Sequence, residues 1–166
     1  QVLIPQYKGD LGIDVMNLEI QKNFNKNYGQ GLKMTYGEKS YYEGDKVIQL
    51  LNDNDKKVMN GDIGVVRKIF KTEKETLMMQ IDFDETTVFY EQSDLENINL
   101  AYVISIHKSQ GSEYKIVFLP IIRSYLHMLK KELIYTAITR AKEYLLVLGD
   151  MKLLTYASNQ LAEKRY

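Results

Sequence analysis

The segment Ser105-Ile106-His107-Lys108-Ser109-Gln110-Gly111-Ser112-Glu113 gathers hydroxyls, an imidazole, an ammonium, an amide and a carboxylate around a glycine. Backbone N–H groups and short polar side chains in such a loop suit contacts to phosphate. A solvated loop with a glycine turn would account for the same residues without a ligand. A second segment lies some way downstream. Projected at about 3.6 residues per turn, Leu133, Ile134, Ala137, Ile138 and Ala141 share one arc of a helix. Glu132, Tyr135, Thr136, Thr139 and Arg140 share the opposite arc, a hydroxyl-rich face ending in a guanidinium. Arg140 would also suit a helix C-terminus electrostatically.

Other chemistries are excluded or weakened. The phosphate loop G-x-x-x-x-G-K-[ST] is absent; the nearest approach, Gly37-Glu38-Lys39-Ser40, places a carboxylate where phosphates would have to sit. Met78-Met79-Gln80-Ile81-Asp82 reads as an alternating strand rather than an apolar strand ending in a Mg²⁺ ligand. His107 and His127 are the only histidines and cysteine is absent, so a zinc site and disulfides are not expected. Asp150 closes a strand and fits a helix cap better than a catalytic acid.

These segments must be held by a framework. Val2-Leu3-Ile4-Pro5 reads as a short buried strand and Tyr7-Lys8-Gly9-Asp10 as the turn after it; Ile13, Met16, Ile20 and Phe24 give helical spacing over Leu11 to Phe24. From Tyr41 the texture changes to short strands: Lys46 to Leu51, Ile63 to Phe70, Thr76 to Phe83 and Thr86 to Glu91. Asn60-Gly61 has the composition of a type I′ hairpin turn. After Ile98, Lys115 to Ile122 and Tyr144 to Gly149 read as strands buried on both faces. Ser124 is placed to cap a helix over Tyr125 to Ala141, and Met151 to Leu161 forms a closing helix. The expected architecture is an α/β domain split by a small β-barrel.

Composition is neutral on partners. The 166 residues carry 22 Lys and Arg against 22 Asp and Glu, so no global field draws the chain onto nucleic acid. With 45% hydrophobic and 27% charged residues the balance is that of a globular domain. No apolar run approaches the roughly 20 residues of a membrane span. The start at Gln1-Val2-Leu3-Ile4-Pro5 shows no secretory pattern and, lacking Met, reads as an excised fragment; absence of cysteine suits the cytoplasm.

Residues Ala101 to Tyr114 resemble motif V of superfamily 1 helicases of the RecD type, and Leu133 to Lys142 resemble their motif VI. Gly44-Asp45-Lys46-Val47 and Met59 to Gly64 resemble the SH3-like barrel inserted in that region, and Leu3 to Pro5, Gly9 to Gly12 and Asn17 to Gln21 resemble the segment that opens it. The resemblance, to exodeoxyribonuclease V alpha-chain-like proteins, implies a RecA-like (P-loop NTPase-type) second motor domain over 1–41 and 99–166, with an SH3-like β-barrel at 42–98. It implies ATP and Mg²⁺ as cofactors, bound mainly by a first motor domain that this sequence does not contain. Arg140 would be the arginine finger, with Gly111 and Glu113 also near the nucleotide. Ser105, His107 and Lys108 would face single-stranded DNA. The implied activity of the intact protein is ATP-dependent DNA unwinding, 5′ to 3′, at duplex junctions. The fragment alone would be monomeric, inactive and without membrane contact. Two alternatives stay open: a non-enzymatic nucleic-acid- or protein-binding module built on the barrel, and a related relaxase-type or RNA helicase domain.

Overall fold

A computed structural model describes residues 1–159. In chain order its elements are β1 (Val2–Ile4), α1 (Ile13–Phe24), β2 (Met34–Tyr36), β3 (Lys39–Tyr41), β4 (Lys46–Gln49), β5 (Ile63–Lys71), β6 (Leu77–Phe83), β7 (Thr87–Tyr90) and β8 (Ile98–Leu100). There follow β9 (Val103–Ser105), β10 (Tyr114–Ile121), α2 (Lys131–Ile138), β11 (Ala141–Gly149) and α3 (Met151–Ser158). Of the closing helix expected over Met151 to Leu161, Gln160 and Leu161 lie outside the described residues. The chain divides into two compact units: Gln1–Met16 with the described residues from Val103 onward, and Asn17–Tyr102.

The first unit is built on a parallel sheet in the order β11-β10-β1-β9. Val2 pairs with Val103 on one side and Phe118 on the other, and Ile4 lies level with Ser105. Leu3, Val117, Leu119 and Ile121 are fully buried on one face. The other face is not covered as the apolar runs of β10 and β11 suggest. Tyr144, Leu146 and Leu148 are 62%, 41% and 49% exposed, and β11 is an edge strand pairing only with β10 among the described residues. The apolar run was thus correct for strand identity and misleading for burial. Gly149 turns the chain out of the sheet with φ +126°, where a Cβ would meet the Ile121 carbonyl.

The long helix expected over Tyr125 to Ala141 is shorter at both ends. Arg123–Tyr125 forms a 3-10 turn, and α2 starts only at Lys131, after Lys130 in extended conformation. Packing outweighs local helix preference here: Tyr125 and Leu129 are buried, and the Tyr125 hydroxyl donates to the Leu11 carbonyl at 2.6 Å. No side-chain cap from Ser124 forms. At the far end the helix stops at Ile138 because Arg140 has joined the sheet: its carbonyl accepts from Tyr114 N at 2.8 Å.

The second unit holds an antiparallel sheet in the order β7-β6-β5-β4-β8. The alternation read in β6 is real: Met79, Ile81 and Phe83 point into a core with Val47, Val66, Val88, Tyr90 and Leu100. The unit extends beyond 42–98 because α1 and the β2–β3 hairpin are tied into it by polar side chains. Asn17 donates to the Leu100 carbonyl, and Gln21 to the Ser40 carbonyl and Asp45. Asp45, completely buried, also accepts from Asn25, the Tyr42 amide and the Tyr102 hydroxyl, each within 2.7 Å. Burial first, then the Asp45 carboxylate, pushes the Tyr102 hydroxyl well above its ordinary pKa. Gly37-Glu38 is the tip of the β2–β3 hairpin. Asn60-Gly61 does not form the expected type I′ turn. Only Gly61 has positive φ, and the β4–β5 connection is a longer loop closed by an Asp53–Val58 bridge.

Candidate functional site

At the carboxyl ends of the adjacent parallel strands β1 and β9, two connections leave the sheet together. This is where parallel α/β sheets most often bind ligands. After β9 comes a 3-10 turn, His107–Ser109. Ser105 is only 1% exposed, and its Oγ accepts from the Lys108 amide at 3.0 Å and from the Tyr7 hydroxyl at 2.8 Å. Ser109 is buried too, and its hydroxyl donates to the Ile106 carbonyl. The two serines therefore fold the turn, while His107 is exposed and Lys108 half-buried. His107 and Gln110 line a cavity of about 260 Å³ with Lys130, Glu132, Leu133 and Thr136 from the start of α2. Of the three residues expected to face a strand, His107 is at the surface, Lys108 is partly so, and Ser105 is inside.

The connection after β1 entered the sequence reading only through the resemblance of Gly9 to Gly12 to the segment that opens this region, with no site residue assigned to it. It is folded tightly on itself: Gly12 N donates to the Gly9 carbonyl at 2.9 Å and Ile13 N to the Gln6 carbonyl at 3.1 Å. A Cβ on Gly12 would lie 2.3 Å from the Tyr7 carbonyl oxygen, so glycine is required there. Tyr7-Lys8-Gly9-Asp10 read as an ordinary turn; the signal was the tyrosine within it.

A second cluster forms at the amino ends of β10 and β11. Arg140, in the turn between α2 and β11, donates from Nη1 to the Ser112 carbonyl at 3.0 Å and from Nη2 to Thr139 Oγ1 at 3.2 Å. Its Nε is buried and makes no hydrogen bond. Gly111 has φ +82° and open space where a side chain would be. Glu113 pairs with Lys142 at 3.4 Å, both more than half exposed, a contact of small energetic weight. Burial raises the Tyr114 hydroxyl pKa, and the Ser112 hydrogen bond and the Arg140 charge partly offset it. The fold thus brings Gly111, Ser112, Glu113 and Arg140 together, and sets His107 and Lys108 apart from them at the other end of the sheet. Among the described residues, no group of three or more His, Asp or Glu could hold a metal ion, and no helix is long and apolar enough to cross a membrane.

Residues 100–148 match the family model for the UvrD-like helicase C-terminal domain. Residues 16–83 match that for the ATP-dependent RecD-like DNA helicase SH3 domain. A Pif1 helicase from Bacteroides, in complex with ADP-AlF3 and ssDNA, superposes with a TM-score of 0.61 at 16% identity, over 94% of this chain and 44% of that one. Pif1 from Candida albicans gives 0.59 at 17%, over 96% and 49%. The fold is therefore RecA-like, of the helicase kind, with an SH3-like domain. The ATP-dependent RecD2 DNA helicase of Deinococcus radiodurans is 34% identical over 165 residues, 99% of this chain. The RecD subunit of the RecBCD enzyme of Haemophilus influenzae is 29% identical over 159 residues, 94% of it. The chain spans 22% of the length of each of these two relatives. It is a RecD-type helicase C-terminal region.

Proposed function

We propose that this chain is the second motor domain of an ATP-driven DNA helicase, supplying a transition-state arginine and part of the grip on single-stranded DNA. The observation that carries the reading is the junction of the two candidate segments, where Arg140 is hydrogen-bonded to the Ser112 carbonyl between Gly111 and Glu113. A guanidinium has five N–H donors. Two contacts hold Arg140 in place through one N–H on each Nη, and the second N–H of each Nη is left for an anion arriving from a facing domain, while Nε stays buried. When bound, ATP with Mg²⁺ supplies a γ-phosphoryl group whose charge, spread over its oxygens in transfer, a positioned guanidinium stabilises. Gly111, with no side chain in the way, and Glu113 would border the nucleotide. The sequence has no phosphate-cradling loop of its own, so the facing domain would provide it and the metal ligands.

At the carboxyl end of the sheet, His107 and Lys108 would meet the DNA backbone, with Ser105 shaping the turn that presents them. Such contacts hold a strand without reading its bases. The proposed cycle closes a cleft on ATP and reopens it after hydrolysis, moving the strand in the 5′ to 3′ direction. Arg140→Ala in the intact helicase tests the reading. DNA-stimulated kcat should fall about 10³–10⁵-fold while ATP binding changes little, since a finger acts on the transition state. Unfolding with normal specific activity in the surviving protein would instead make Arg140 a structural tie between α2 and β10.

A further inference from the structure

We infer that Tyr7 is a base-stacking contact for the single strand, a role that rests on the proposed grip by His107 and Lys108. Its hydroxyl and the Lys108 amide both donate to Ser105 Oγ, so the tyrosine and the motif V turn are joined through one buried atom. With its only donor spent inward, what Tyr7 can offer a ligand is its ring, and the residue is 49% exposed. The ring is also fixed before any ligand arrives. Its loop is closed by Gly12 N to the Gly9 carbonyl and Ile13 N to the Gln6 carbonyl, and the Tyr125 hydroxyl holds the Leu11 carbonyl from below. Little freedom is left to lose on binding. The flanking chemistry suits a nucleic acid: Lys8 and His107 are exposed and Lys108 half-exposed. A rigid aromatic face among cations is the composition of a sequence-tolerant single-strand platform, because every base has a π-face to stack.

The test uses the intact helicase and two probes of equal length, oligothymidylate and an abasic deoxyribose-phosphate strand, in equilibrium binding without nucleotide. Tyr7→Leu should weaken oligothymidylate about 5- to 150-fold, the range of one lost stacked base, and change abasic-strand affinity by less than about twofold. Tyr7→Phe keeps the ring and should stay within about threefold of the parent on both probes. Equal loss on both probes in Tyr7→Leu, or no loss on either, overturns the inference. The double variant His107→Ala, Lys108→Ala separates this from the underlying reading. If it weakens both probes while Tyr7→Leu weakens neither, only the stacking contact is wrong. If neither variant nor abasic substitution matters, DNA is held elsewhere and both proposals fall.

Discussion

At Ser105 the fold spends a hydroxyl of the expected type on shaping a turn. Motif resemblance places its hydroxyl toward DNA, whereas the fold buries it and gives it two donors, Tyr7 and the Lys108 amide. Ser105→Ala should therefore destabilise the chain by about 1–3 kcal/mol, the loss of two part-buried hydrogen bonds at about 0.5–1.5 kcal/mol each; urea denaturation measures it. A change below about 0.5 kcal/mol would mean the turn holds without the hydroxyl. Arg140 has a comparable double attachment, but with a donor left over. Arg140→Lys should restore little of the turnover lost in Arg140→Ala, because a single ammonium cannot hold the Ser112 carbonyl and meet a phosphoryl oxygen in the same planar arrangement. Single-turnover ATP hydrolysis by the intact helicase would show this, and recovery to near the parental rate would count against a finger.

At the scale of elements, patterns with a short period were legible and those decided by distant packing were not. The two-residue alternation of β6 gave its inward face, and Asp150 was readable as the cap of α3, where its carboxylate accepts from Lys152 N at 2.8 Å. Asp150→Ala should cost about 1 kcal/mol of stability, measured by thermal or urea unfolding. The late start of α2 was hidden because burial of Tyr125 and Leu129 decides it, and that burial depends on a hydrogen bond to Leu11 more than a hundred residues away. Apolar content predicted β11 but could not show that Tyr144, Leu146 and Leu148 stand on an open face. In the candidate site, Arg140, Gly111 and His107 were visible as residue types in a recurring order. Tyr7 was not, since its importance comes from strand neighbours brought together only by the sheet. Asp45 was visible only as part of a Gly-Asp-Lys-Val string; the fold makes it the shared acceptor for Gln21, Asn25, Tyr42 and Tyr102. Asp45→Ala strands four buried or half-buried donors and should cost about 3–5 kcal/mol, unfolding the second unit at lower denaturant than the parent.

For the whole molecule, the strand register explains how one short segment could connect two functions. Ile4, level with Ser105, lies two residues beyond Val2; Val2 pairs with Phe118, and Tyr114 lies four residues before Phe118. At roughly 3.3 Å per residue, residues 106–113 therefore descend about 20 Å along the sheet. They run from the turn bearing His107 to the carbonyl that holds Arg140. A shift of that segment would be felt at both ends, which is what coupling of strand movement to hydrolysis needs. Coupling still requires a triphosphate, and no phosphate loop of the G-x-x-x-x-G-K-[ST] type occurs in these residues. We therefore expect the purified chain to fold, with cooperative unfolding, and to hydrolyse no ATP with or without single-stranded DNA. It should retain weak strand binding that declines with salt, as the counterions displaced by backbone contacts gain less entropy on release into a more concentrated salt solution. Far-UV circular dichroism, a phosphate-release assay and fluorescence anisotropy over a salt series examine the three parts separately. ATP turnover by the chain that DNA stimulates and Arg140→Ala leaves intact would place a complete nucleotide site within it and remove the need for a facing domain. Strand affinity indifferent to salt would move the DNA away from His107 and Lys108.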